Sequence, residues 1–109
     1  MARERRRLTV RGLVQGVGFR PFVFRLAGER GLAGAVRNSA DGVVVEVEGP
    51  GEALEGFARA LAAEAPPLAR VDSVAEEGIA ALGDAGFRIE ASGRAGAAAT
   101  AVPPDVAAC

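Results

Sequence analysis

Histidine, lysine, tyrosine and tryptophan are all missing from this chain of 109 residues, and its one cysteine stands at position 109. Without histidine or lysine, Ser-His activation of a nucleophile and Schiff-base chemistry are excluded. A lone cysteine allows no internal disulfide and no multi-cysteine metal site within the chain. No segment approaches the roughly 18 apolar residues that a membrane-spanning helix needs, and the basic start leads into no signal-peptide apolar run. The chain therefore reads as cytoplasmic, without a membrane partner. All thirteen basic residues are arginine and the net charge is −1, which argues against a whole-surface attraction to nucleic acid. The local run Arg3, Arg5, Arg6 and Arg7 reads as a solvated N-terminal end, residues 1–7.

Half of the residues are hydrophobic, enough at this length for a single core. Leu8, Val10, Gly12 and Val14 alternate with Thr9, Arg11 and Leu13, the period of a strand covered on one side. Phe22, Val23, Leu26 and Ala27 then recur at helical spacing, with Pro21 suited to the first helical position and Gly31 to the stop. A weaker strand is expected from Leu32 to Asn38, a hairpin turn at Asp41-Gly42, and a strand through Val43, Val45 and Val47. Leu54, Phe57, Ala58, Leu61 and Ala65 mark a second amphipathic helix, ended by Pro66-Pro67. Arg70 to Glu77 and Phe87 to Ile89 complete the strands. Beyond them lies a run of small side chains with no periodic stripe, read as a linker.

Chemistry concentrates in the stretch GLVQGVGFR, Gly12 to Arg20, which joins the first strand to the first helix. A glycine-rich loop at a helix N-terminus presents unpaired N–H groups and the positive end of the helix dipole, which together attract an anion. Arg20 adds a fixed charge and a planar fork of donors matched to phosphate oxygens. The stretch lacks the third glycine of the dinucleotide fingerprint and the lysine of a P-loop. On the residues alone it reads either as an anion cradle or as an ordinary turn with Arg20 at the surface. Asn38, likewise, is on its own a residue before a hairpin turn.

Gly12, Val14, Gln15, Gly16, Val17, Phe19 and Arg20 match in order and spacing the G-x-V-Q-G-V-x-F-R signature of the acylphosphatases, and Gly34, Val36 and Asn38 match that family's G-x-V-x-N element. The chain therefore resembles an acylphosphatase over residues 8–92. Arg20-Pro21-Phe22-Val23, Pro66-Pro67-Leu68-Ala69-Arg70-Val71 and the ending Pro104-Asp105-Val106-Ala107-Ala108-Cys109 look like the N-terminal part of the hydrogenase-maturation carbamoyltransferases.

The resemblance implies an α+β, ferredoxin-like α/β sandwich of βαββαβ order plus a short extra strand, with two helices on one face of an antiparallel sheet. It implies that Arg20 and the backbone N–H groups of Gln15, Gly16, Val17, Gly18, Phe19 and Arg20 bind a phosphoryl group, and that Asn38 orients the attacking water. The implied substrate is carbamoyl phosphate, hydrolysed to carbamate and phosphate as a step toward the cyanide ligand of nickel-iron hydrogenase, with a HypE-type maturation protein as partner of the whole enzyme. The alternatives are an acylphosphatase of broad acyl phosphate range or a module that holds carbamoyl phosphate without efficient turnover. No cofactor is implied for this domain; ATP and zinc belong to further domains, with residues 93–109 a linker and Cys109 the first ligand of a zinc-finger module, or otherwise an exposed, inert thiol. A ferredoxin-like sandwich can also stack RNA bases on aromatic side chains, but the five phenylalanines fall where helices and core strands need apolar filling, so no nucleic-acid partner is expected.

Overall fold

The computed structural model describes residues 3–40 and 42–90. Its elements run β1 (Arg3–Leu13), α1 (Phe19–Glu29), β2 (Ala33–Ser39), β3 (Gly42–Pro50), α2 (Gly51–Ala63), β4 (Arg70–Ile79) and β5 (Phe87–Ile89). The strands form one sheet in the order β4-β1-β3-β2-β5. Even-numbered residues of β1 and β2 and odd-numbered residues of β3 face the helices, so that Leu8, Val10, Val36, Val43, Val45 and Val47 meet Phe22 and Leu26 of α1 and Leu54, Phe57 and Leu61 of α2 in one core. Each such side chain contributes about 1.5–3 kcal/mol on burial. The expected βαββαβ order and ferredoxin-like sandwich are present, with the short extra strand at the β2 edge.

Several local expectations are corrected. The sheet is mixed: β5 runs parallel to β2, with Gly34 opposite Phe87 and Val36 opposite Ile89. β4 and β5 lie on opposite edges, and a chain that crosses the end of a sheet returns in the reverse direction, which here is that of β2. α1 begins at Phe19 with Gly18 as its N-cap, so Pro21 is its third residue; that position still lies within the first turn, where a missing N–H costs no intrahelical bond. The end of α1 is as expected: Gly31 takes φ 66°, and the N–H of Leu32 donates to the Ala27 carbonyl at 2.9 Å, a Schellman closure. β4 extends from Arg70 to Ile79 as an exposed edge strand. Val71 and Val74, three apart, both pack on the core because the register shifts beside Gly12: Val10 pairs with Val74 and Gly12 with Val71.

The basic N-terminal run is not a solvated end. β1 begins at Arg3, and Arg5 is only 3% exposed on the sheet face opposite the helices. There Arg5 pairs with Glu46, Glu48 and Asp84, each at 3.0 Å. Glu48, which is 1% exposed, also accepts hydrogen bonds from the Leu82 and Gly83 N–H groups, both at 2.8 Å. These bonds pin the connection that carries the chain from β4 to β5. That connection crosses four strand spacings, about 19 Å, with eight Cα steps between Ile79 and Phe87 that extend to about 27 Å. Its path passes over Glu48, to which Leu82 and Gly83 donate.

The Glu48 carboxyl is held down at a pKa of about 2, first by the Leu82 N–H, against the opposing effect of burial, and then by Arg5, Arg3 and the Gly83 N–H. Its contribution to stability is therefore complete above its ordinary value of 4.5 and is lost as the pH falls toward 2. Thermal melting followed by circular dichroism should show Tm falling across that window. In Glu48→Gln the melting point at neutral pH should be lower and the acid-dependent fall smaller. Some fall should remain, because Glu46 is also lowered: burial opposes the shift, but the hydrogen bonds from Arg5 and Arg7 outweigh it.

Candidate active site

The turn from β1 into α1 is built on apolar anchors and glycine conformations. Val14 is buried at 2% exposure, Phe19 at 1%, and Val17 packs against the core from the loop between them. Gly16 and Gly18 take φ 73° and 80°, the left-handed region that only glycine enters without strain. A Cβ at either would meet nothing within 4 Å, so the backbone of the loop faces open space. Gly12 differs: a Cβ there would stand 2.1 Å from the Arg70 carbonyl oxygen, so this glycine permits the close approach of β1 and β4.

The N–H groups of Gln15, Gly16, Val17, Gly18, Phe19 and Arg20 donate to no backbone carbonyl among the described residues. These six donors lie in the turn into α1 and in its first residues, where the helix dipole is positive. Arg20, the second residue of α1, is half-buried, and its Nη1 donates to the Glu90 carbonyl at 3.3 Å. The Glu90 N–H in turn donates to the Val36 carbonyl at 2.8 Å, which continues the β5–β2 pairing and brings Arg20 beside the end of β2. Asn38, two residues beyond Val36 and on the same helix-covered side, is half-buried and pairs with Val43. The structure thus places the loop, Arg20 and Asn38 at one end of the sheet.

Two contacts go beyond the roles expected from the sequence. The Gln15 side-chain amide donates to the carbonyls of Ser39, at 2.7 Å, and Gly42, at 2.8 Å, which ties the loop to the β2–β3 hairpin. Within the signature, Gln15 is the one polar side chain between Gly12 and Arg20, which is the feature that singles it out beyond its backbone N–H. The Glu90 carbonyl is a backbone atom whose role depends wholly on the path of β5. A cavity of about 220 Å³ opens beside the loop, lined by Gly12, Leu13, Val14, Gln15, Ala40 and Gly42. A larger one, about 380 Å³, lies at the C-terminal end of α1 between Phe24, Leu32 and Phe87, where the helix dipole is negative. Asp41 of the expected turn, residues 93–109 of the expected linker and Cys109 lie outside the described residues. Among the described residues no helix is long and apolar enough to cross a membrane.

A glycine-rich turn at a helix N-terminus with one guanidinium beside it, on a ferredoxin-like sandwich, is the arrangement of an acylphosphatase-type domain. The chain belongs to the acylphosphatase family, whose model matches residues 6–89. Over 105 residues it is 55% identical to carbamoyltransferase HypF2 of Cupriavidus necator, a match that covers 94% of this chain and 13% of that protein. It is 46% identical over 98 residues to an acylphosphatase of Synechococcus, covering 89% of this chain and 83% of its relative. The crystal structure of full-length HypF in the phosphate- and nucleotide-bound form superposes with a TM-score of 0.78 at 30% identity, over 95% of this chain and 13% of that one.

The two kinds of glycine in the signature should separate under mutation. Gly18→Ala, strained but unobstructed, should cost about 1–2 kcal/mol, read from urea unfolding. Gly12→Ala, which drives a methyl into the Arg70 carbonyl, should cost more than Gly18→Ala or prevent folding.

Proposed function

We propose that this domain hydrolyses carbamoyl phosphate at phosphorus and releases phosphate and carbamate. The observation that carries this reading is the run of N–H groups from Gln15 to Arg20 that donate to no described backbone carbonyl, at the positive end of α1. A phosphoryl dianion takes up those donors together with the Arg20 guanidinium, and Asn38 orients the attacking water. The water oxygen bonds to phosphorus, the P–O bond to the carbamate breaks with its electron pair going to the carbamate oxygen, and a water proton passes to a phosphoryl oxygen. A carbamate is a weakly basic leaving group, so no general acid is needed to protonate it. Charge in the loose transition state lies on the equatorial oxygens, where positioned donors act most strongly.

The choice of carbamoyl phosphate rests on the similarity to the HypF2 carbamoyltransferase. In the same reading, the domain works in the cytoplasm as part of a longer protein. There the carbamate passes to an ATP-using domain and is transferred to a HypE-type maturation protein for the cyanide ligand of nickel-iron hydrogenase, while Cys109 opens a zinc-binding module. The match over most of the Synechococcus acylphosphatase favours a second reading, hydrolysis of a broad range of acyl phosphates.

Phosphate release from carbamoyl phosphate and from acetyl phosphate distinguishes these readings. The unmodified chain should turn over carbamoyl phosphate, Arg20→Ala should lower kcat/KM by about 10²–10³-fold, and Asn38→Ala by about 10²-fold. Equal rates on both substrates would favour the broad range. Full activity in either variant would remove that residue from the mechanism, and no turnover by the folded, unmodified chain would make it a binding module.

A further inference from the structure

We propose that the Gln15 side chain is a positioning residue that sets the distance between the bound phosphoryl group and the attacking water, an inference that rests on the acyl phosphate reading above. A side-chain amide has two N–H bonds, and both are spent here: Gln15 Nε2 donates to the Ser39 carbonyl at 2.7 Å and to the Gly42 carbonyl at 2.8 Å. Ser39 and Gly42 are the last paired residues of the β2–β3 hairpin. Ser39 follows Asn38 directly, and Gly42 precedes Val43, the residue opposite Asn38. The amide therefore bridges β2 and β3 at the pair next to Asn38 and Val43. Its own backbone N–H belongs to the phosphoryl loop.

Among the described residues, the rest of the loop makes no comparable hydrogen bond to the hairpin. Val14 and Val17 hold it to the core below, while Gly16 and Gly18 turn it through left-handed conformations with open space around them. Phosphorus is thus located by the loop and water by β2, two segments 24 residues apart in sequence that the Gln15 amide joins directly. In-line attack requires the two reacting atoms about 3–3.5 Å apart, and a misplacement of 1 Å is worth about 10²-fold in rate. Phosphate affinity depends on the loop alone, whereas kcat depends on both segments. Loss of the amide should therefore appear in kcat.

The test compares Gln15→Met, which keeps the length and removes both donors, with Gln15→Lys, which restores donors at the end of a long stem. Circular dichroism melting confirms the fold of each. Gln15→Met should lower kcat about 10–100-fold while KM and the inhibition constant of inorganic phosphate stay within threefold, and Gln15→Lys should recover part of the rate. An unchanged kcat in Gln15→Met, or a loss confined to KM and phosphate inhibition, would overturn the proposal. Backbone 15N order parameters without ligand provide a readout independent of turnover: those of Gly16 to Gly18 should fall in Gln15→Met, and unchanged values would overturn the link itself. Absence of turnover in the unmodified chain would instead overturn the acyl phosphate reading, with the order parameters still deciding whether Gln15 ties the loop to the hairpin.

Discussion

A carboxylate enclosed within a protein must be matched group for group or it unfolds its surroundings, and Glu48 is matched four times. Arg5 and Arg3 supply charge, and the Leu82 and Gly83 N–H groups supply direction. Because those last two donors belong to the crossing between the sheet's two edges, Glu48 determines where β5 arrives. β5 determines where the Glu90 carbonyl stands, and that carbonyl takes the Arg20 guanidinium. An interaction on the open face of the sheet therefore supports the geometry of a site at the end of the helix layer.

The site itself is economical in side chains because its substrate class lets it be. Backbone N–H groups do not titrate and survive every substitution except proline, and the left-handed conformations of Gly16 and Gly18 shape the loop that carries them. In the proposed mechanism a side chain is required only where a backbone group cannot reach, as with the Arg20 charge and the Asn38 amide. The absence of histidine, lysine and tyrosine is consistent with chemistry in which the leaving group departs without a proton.

Much of this was legible in the residues. Alternating valines in β3, the stripe of Leu54, Phe57 and Leu61, and the stop at Gly31 all follow from local periodicity and backbone preference, and the structure agrees with each. The signature named the loop, Arg20 and Asn38, and the fold brings them to one end of the sheet. What was not legible is nonlocal. Arg5 looks solvated in any window of sequence; it is buried only because Glu46, Glu48 and Asp84, some 40 to 80 residues away, converge on it. Val71 and Val74 have the wrong spacing for one face of a strand until the shift beside Gly12 is known. Pro21 misplaced the start of α1 because proline tolerates the whole first turn, whereas the actual start depends on Gly18 entering a left-handed conformation. The parallel pairing of β5 follows from a crossing that no short-range pattern records.

The outer strand β4 has a consequence for how the molecule meets copies of itself. Its ten residues present a row of backbone donors and acceptors along a free edge among the described residues, the arrangement through which sheets extend into aggregates. That edge carries Asp72, Glu76 and Glu77, all exposed and each paired with an arginine, Asp72 with Arg70, Glu76 with Arg6 and Glu77 with Arg7. A second chain docking there would meet a row of ion pairs in place of an apolar strand. The opposite edge, β5, is only three residues long, too short a template for another chain.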